Sequence, residues 1–299
     1  MPSPAHDWIA STLSKSTLFK SSDLRNDVLR LRAQLEAFTV RSVLPEGTRS
    51  EPFDAGCVRA EWLAGPGADA DRVLLYLHGG GYIIGSIATH RALAARIAAA
   101  AGVRALILEY GLAPERPFPQ GLHDAVAAYD SLLSSGVDPR RIALGGDSAG
   151  GGLAVSTLLA LRDSGRPLPG AVVLLSPWID LTGSGASMLA PGADAVIGTR
   201  DEMLAVAALY LNGADPRTPE TSPLHADLSG LPPVAIQVGT AEKLLDDSVR
   251  LAERIRAASG HVELETFADL IHVFQAFAPH VPEGVEAIDK LGAFLRRTL

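Results

Sequence analysis

Apolar runs too short to be helices recur along this chain and set its architecture. They are Val73 to Leu77, Ala105 to Leu108, Ile142 to Leu144, Val172 to Leu175 and Val234 to Val238, with a last strand expected over Val262 to Phe267. Stretches of helical spacing follow them. Leu93 and Ile97 precede Gly102, Leu153 to Leu161 stops before Gly165, and Leu251 and Ile255 precede Gly260. Fully apolar strands alternating with amphipathic helices predict an α/β fold, a mostly parallel central sheet covered by helices on both faces.

Three stretches break this rhythm. Residues 6–40 are polar, with apolar positions at Val28, Leu31, Leu35 and Phe38, a spacing that predicts one or two helices. Glu51 to Phe53 and Val58 to Leu63 read as short edge strands before Gly65, Pro66 and Gly67 interrupt the chain. Between Gly183 and Pro233 a helical segment, Glu202 to Leu211, lies amid Pro, Gly and Asp, an excursion from the sheet able to cover a site. The chain therefore divides into N-terminal helices over 1–45, a first part of the core over 46–182, an insertion over 183–230 and a second part of the core over 231–299.

Composition narrows the functional classes. A chain of 299 residues with 47% hydrophobic positions can bury a full core, which excludes intrinsic disorder. Its 26 basic and 34 acidic residues leave a net charge of −8 with no basic run, so nucleic acid is not an expected partner. The N-terminus carries no basic segment leading into an apolar one, and no apolar stretch is long enough to span a bilayer. A single cysteine, Cys57, asks for no oxidising compartment, so a cytoplasmic protein is expected.

The strongest chemical signal is Gly146-Asp147-Ser148-Ala149-Gly150, placed between an apolar strand and a helix. A serine on so sharp a turn is presented as a nucleophile, and flanking glycines let the strand and helix approach without a Cβ clash. A helix N-terminus adds its positive dipole end near the developing anion. An ordinary turn with a capping serine is the bland alternative. The second signal, His78-Gly79-Gly80-Gly81, follows a strand at its C-terminal end, where ligands collect in an open α/β sheet. Its glycines, with Ala149 after the nucleophile, expose N–H groups that could hold an oxyanion, each worth roughly 3 kcal/mol.

A serine nucleophile needs a base and an orienting acid. His272, just beyond the last expected strand, is the base candidate; His78 is read as support for the glycine loop, and His90, His123, His225, His261 and His280 as non-catalytic. His6 falls in the N-terminal helical region. Glu242 is the first carboxylate after the strand Val234 to Val238, and Asp246 and Asp247 compete with it. Helix capping and first-turn dipole complementarity account for those two without catalysis. The resulting order of Ser, acid and His is that of an α/β-hydrolase.

With these motifs the chain resembles the bacterial hormone-sensitive-lipase-like carboxylesterases, from about Val73 to Phe274. The likeness includes Leu112-Ala113-Pro114-Glu115, Pro117-Phe118-Pro119, Ser176-Pro177-Trp178 and Ser222-Pro223-Leu224. It implies an α/β-hydrolase fold with a helical cap, a triad of Ser148, Glu242 and His272, and an oxyanion hole of Gly80, Gly81 and Ala149, with Gly79 a weaker member that shapes the turn. It also implies short- to medium-chain esters as substrates and no metal or cofactor. Trp8, Phe19, Tyr82 and Tyr210 are aromatic candidates for lining the covered pocket. A last strand at the sheet edge would offer a pairing surface for a homodimer.

The chain departs from the family at three places. Glu242 stands where Asp is commoner, Val273 where Gly is commoner, and Gly111 where relatives carry an Arg, which leaves Glu115 without that ion-pair partner. The same triad could open a lactone, cleave an amide or deacetylate a sugar or drug. Non-catalytic binding proteins on this fold lack the histidine, so His272 argues against that alternative.

Overall fold

The computed structural model describes residues 1–13, 23–39, 42–190 and 196–299. Its core is an eight-stranded sheet in the order β1-β2-β4-β3-β5-β6-β7-β8. The strands are β1 (Arg49–Ala55), β2 (Val58–Ala64), β3 (Asp69–Leu77), β4 (Val103–Leu108), β5 (Ile142–Asp147), β6 (Ala171–Leu175), β7 (Val234–Gly239) and β8 (Val262–Phe267). From β4 to β8 all neighbours are parallel, while β2 runs antiparallel to both β1 and β4. Only β1 is therefore the edge on that side. The expectation that both early strands lie at an edge is corrected for β2, because its far side pairs with β4 from Ala60 to Ala64.

The described helices are α1 (Pro4–Leu13), α2 (Leu24–Thr39), α3 (Ile87–Ala101), α4 (Gln120–Ser134), α5 (Ala149–Asp163), α6 (Arg200–Leu211), α7 (Leu245–Ala257) and α8 (Pro282–Thr298). Local chemistry sets several of their ends. Ser86 and Thr89 form a capping box at the start of α3, and Gly102 closes it at φ 71° in the left-handed region that glycine adopts without a Cβ penalty. Thr199 and Glu202 form the same box at α6, inside the predicted excursion.

Side chains alternate across the sheet. Val73, Leu75 and Leu77 of β3 enter one core with α4, α5 and α7, while Leu74 and Tyr76 enter a second with α3 and α8. Each such fully buried aliphatic side chain contributes roughly 1.5–3 kcal/mol. Along the chain, β3 passes to β4 on one side and the path then returns to β5 on the other. The carboxyl ends of β3 and β5 thus form a switch point, where open α/β sheets place their ligands. Leu77 pairs in register with Gly146 there, which sets the glycine loop beside the serine turn.

Candidate active site

Ser148 sits between β5 and α5 at φ 52°, ψ −123°, a backbone conformation costly for any residue with a Cβ. Three backbone bonds hold it: its N–H donates to the Leu175 carbonyl at 2.9 Å, and its own carbonyl accepts from Gly152 at 3.1 Å and Trp178 at 2.9 Å. The side chain makes no capping bond, so the capping-serine alternative does not hold. The flanking glycines are required by space. A Cβ on Gly146 would lie 2.4 Å from the Gly150 carbonyl oxygen, and one on Gly150 would lie 2.0 Å from that of Leu77.

The glycine loop is tied down by the carboxylate next to the serine. Asp147 Oδ1 accepts from Tyr76 OH at 2.8 Å and from the Gly79 N–H at 3.1 Å, and its Oδ2 lies 3.3 Å from His90 Nε2. The Gly79 N–H is therefore directed at Asp147. Its expected share in the oxyanion hole is corrected to a structural one, whereas the N–H groups of Gly80, Gly81 and Ala149 have no acceptor among the described residues. Burial opposes ionisation of Asp147, but the His90 charge and the bonds from His90 and Tyr76 outweigh it and hold the carboxyl below its ordinary range. His78 stacks between His90 and Tyr110, with Nδ1 2.8 Å from the Gly79 carbonyl. Burial first, and the neighbouring His90 second, push its pKa down to about 3, so the imidazole is neutral and braces the loop.

Glu242 and His272 are brought together as a buried pair, with His272 Nδ1 3.0 Å from Glu242 Oε1. The second carboxylate oxygen accepts from Ser176 Oγ at 2.7 Å and from the Gly239 N–H at 3.1 Å. Ser176 Oγ also accepts from the Val273 N–H at 3.3 Å, so one hydroxyl touches the acid and the backbone beside the histidine. Ser176 follows Leu175, the residue that accepts from Ser148 N–H, and so links the serine turn to the acid–histidine pair. Sequence reasoning gave neither Ser176 nor His90 a part. The signals for Ser176 are its place at the carboxyl end of a core strand and its position in the Ser176-Pro177-Trp178 segment.

Asp246 and Asp247 lie in the first turn of α7 behind the N-cap residue Leu244, so neither is the cap itself. Asp246 Oδ2 accepts from Ser187 N–H at 2.9 Å, and Asp247 Oδ2 accepts from the N–H groups of Ile179 at 2.9 Å and Asp180 at 3.0 Å. Burial raises the Asp247 carboxyl to about 8; the Ile179 bond opposes the rise and the Asp180 charge adds to it. Asp180 is held below its ordinary range, because bonds from Ser184 and Thr182 outweigh its own burial. The folded state thus keeps a proton on Asp247 that the unfolded chain releases near the ordinary aspartate value of 3.8. The contribution of this group to stability is fully present below that pH and is lost as pH rises towards 8. Asp247→Asn, which keeps the acceptor, is expected to be more stable than wild type at pH 8, with the gap closing towards pH 4. Denaturant midpoints at the two pH values check it, and a gap independent of pH would contradict it.

Helices outside the sheet close over this region. A Cβ on Gly81 would lie 2.8 Å from Val206 Cγ1 of α6, which puts that helix directly against the glycine loop. Tyr82 stacks on Tyr210 of α6 with ring centroids 3.9 Å apart and lies 6.0 Å from Trp178. Tyr82 and Tyr210 are thus packed together, Trp8 is 70% exposed and away from any such wall, and Phe19 lies outside the described residues. Glu115 does have a cation: Arg32 of α2 binds it through both guanidinium ends at 2.9 and 2.8 Å, and also donates to the Ile83 and Ala113 carbonyls. Here the partner missing at Gly111 is supplied from the N-terminal helices. Among the described residues, no three His, Cys, Asp or Glu side chains stand together as a metal set, and no helix is long and apolar enough to cross a membrane.

Comparison with known proteins agrees with this layout. A sequence profile described as alpha/beta hydrolase fold matches residues 74–276. A Streptomyces hygroscopicus protein named acetyl-hydrolase is 46% identical over 265 residues, covering 89% of this chain and 87% of its own. The crystal structure of an esterase from the bacterial hormone-sensitive lipase family superposes with a TM-score of 0.94 at 46% identity, covering 100% of this chain and 99% of the other. The crystal structure of EstE5, soaked with p-nitrophenyl butyrate, gives a TM-score of 0.92 at 38% identity, with 99% of each chain covered. The chain belongs to the α/β-hydrolase family and, within it, to the bacterial hormone-sensitive-lipase-like esterases.

Proposed function

We propose that this esterase is a serine carboxylesterase for short- to medium-chain acyl esters. The observation that carries the reading is the buried His272–Glu242 pair, joined through Ser176 and Leu175 to a serine held on a strained strand-to-helix turn. Ser148 Oγ attacks the ester carbonyl while His272 Nε2 takes its proton, and Glu242 fixes the tautomer with the proton on Nδ1 and stabilises the imidazolium that forms. The oxyanion is held by the N–H groups of Gly80, Gly81 and Ala149. Collapse breaks the bond to the alcohol, which leaves with the proton returned by His272. Water, activated by the same imidazole, then hydrolyses the acyl-serine.

Two observations support a short acyl group. Val206 of α6 sits directly on the glycine loop and limits the room there, and a relative covering most of the chain is named an acetyl-hydrolase. Steady-state hydrolysis of nitrophenyl esters from acetyl to dodecanoyl tests the range. Rates are expected to be highest for short to medium chains, and a maximum at dodecanoyl would overturn that preference. A cytoplasmic place of work fits the free, exposed thiol of Cys57.

A further inference from the structure

The loop that carries His272 is held in an unusual shape. Asp269 at φ 61° and Val273 at φ 49° both lie in the left-handed region, and neither is glycine. Val273 is β-branched, which makes that conformation least favourable. Such a backbone persists only where its surroundings over-determine it. Three side chains from outside the loop bind its N–H groups. Thr240 Oγ1 accepts from Asp269 at 2.8 Å, Ser176 Oγ accepts from Val273 at 3.3 Å, and His6 Nε2 accepts from Ile271 at 3.1 Å.

Thr240 and Ser176 belong to the sheet's own loops, whereas His6 comes from α1, far away in sequence. It is buried, only 2% exposed, although it sits near the start of the chain. Its helix is fastened at the same place. Ser3 donates to both carboxylate oxygens of Glu283, at 2.5 Å from its N–H and 2.8 Å from its hydroxyl. Ile9, Ala10 and Leu13 pack against Leu270, Ile271, Phe274 and Ala287. For Nε2 to accept, the ring proton must sit on Nδ1, which faces Asp7 Oδ1 at 3.4 Å.

From this contact we infer that His6 is a positioning residue for the catalytic base. By accepting the Ile271 N–H, the imidazole of α1 fixes the backbone of the residue preceding His272 and so aims the ring at Ser148. The N-terminal helix then acts on the chemical step as well as covering the site. This inference rests on the reading of His272 as the base.

The comparison of His6→Phe with His6→Gln tests it. Phenylalanine keeps an aromatic ring in the buried space and removes the acceptor, while glutamine restores an acceptor near the position of Nε2. With a nitrophenyl butyrate substrate, His6→Phe is expected to lower kcat roughly 10- to 100-fold with KM little changed, as a small misplacement of the base would. His6→Gln is expected to recover most of that loss. The rate of Ser148 sulfonylation by phenylmethylsulfonyl fluoride should follow the same order, since it reports on serine activation independently of ester fit.

Wild-type kcat in a folded His6→Phe, or a His6→Gln as impaired as His6→Phe, would overturn the inference; the second outcome would leave His6 a packing residue only. If His6→Phe does not fold, His6→Leu carries the same comparison. Ser148→Ala measured alongside separates the two claims. If it still turned ester over, the triad reading itself would fail, whereas an inactive Ser148→Ala beside a fully active His6→Phe removes the role of His6 alone.

Discussion

Ser148→Ala is expected to lower kcat for ester hydrolysis by roughly 10⁶-fold, the loss seen when the nucleophile of a serine triad is deleted. The folded structure should survive. The bonds that hold residue 148 at φ 52° come from its backbone N–H and carbonyl, and the hydroxyl caps nothing. Alanine keeps that backbone, and its Cβ is the one serine already carries. KM is expected to change little, because the glycine loop and the α6 wall are untouched. Thermal unfolding run beside the kinetics checks this, with a shift of no more than about 4 °C if stability changes by less than about 1 kcal/mol. An active, folded Ser148→Ala would remove the serine mechanism.

Glu242→Gln is expected to lower kcat roughly 10³- to 10⁴-fold while leaving the fold intact. The reason lies in the partners of the second oxygen. Gly239 N–H donates to Glu242 Oε2, as does Ser176 Oγ. An amide placed there turns its oxygen towards those donors and its NH₂ towards His272 Nδ1. The imidazole must then accept at Nδ1 and carry its proton on Nε2, the tautomer that cannot take a proton from serine. The negative charge that stabilises the imidazolium is lost as well. Asp246→Asn is the control. Its carboxylate accepts from Ser187 N–H in a structural contact, so activity should stay within a few-fold of wild type. The reverse pattern, an active Glu242→Gln and an inactive Asp246→Asn, would transfer the acid role to Asp246.

Much of the fold is legible from run length alone. Val73 to Leu77 and Val172 to Leu175 are apolar at every position because both faces of those strands are covered. The helix end at Gly102 is equally local, since capping bonds join residues within one turn. The place of β2 was not legible. A strand paired on one side and one paired on both differ in partner, and β4, which fills the far side of β2, lies beyond β3 and α3 in the chain.

The sequence by itself determined where the serine turn, the glycine loop and the histidine stand along the chain, because each is a short pattern whose chemistry needs neighbouring residues. It also selected Glu242 as the first carboxylate after its strand. What only the tertiary structure decided is which groups those patterns meet. Whether the Gly79 N–H faces an oxyanion or a carboxylate depends on Asp147, two strands' worth of chain away. The cation for Glu115 comes from Arg32, a hydroxyl for the Glu242 carboxylate from Ser176, and the support of the histidine loop from His6. A hydrogen bond acts over about 3 Å and is indifferent to separation along the chain. Local pattern therefore fixes the chemistry each segment can offer, and packing fixes the partners that orient it.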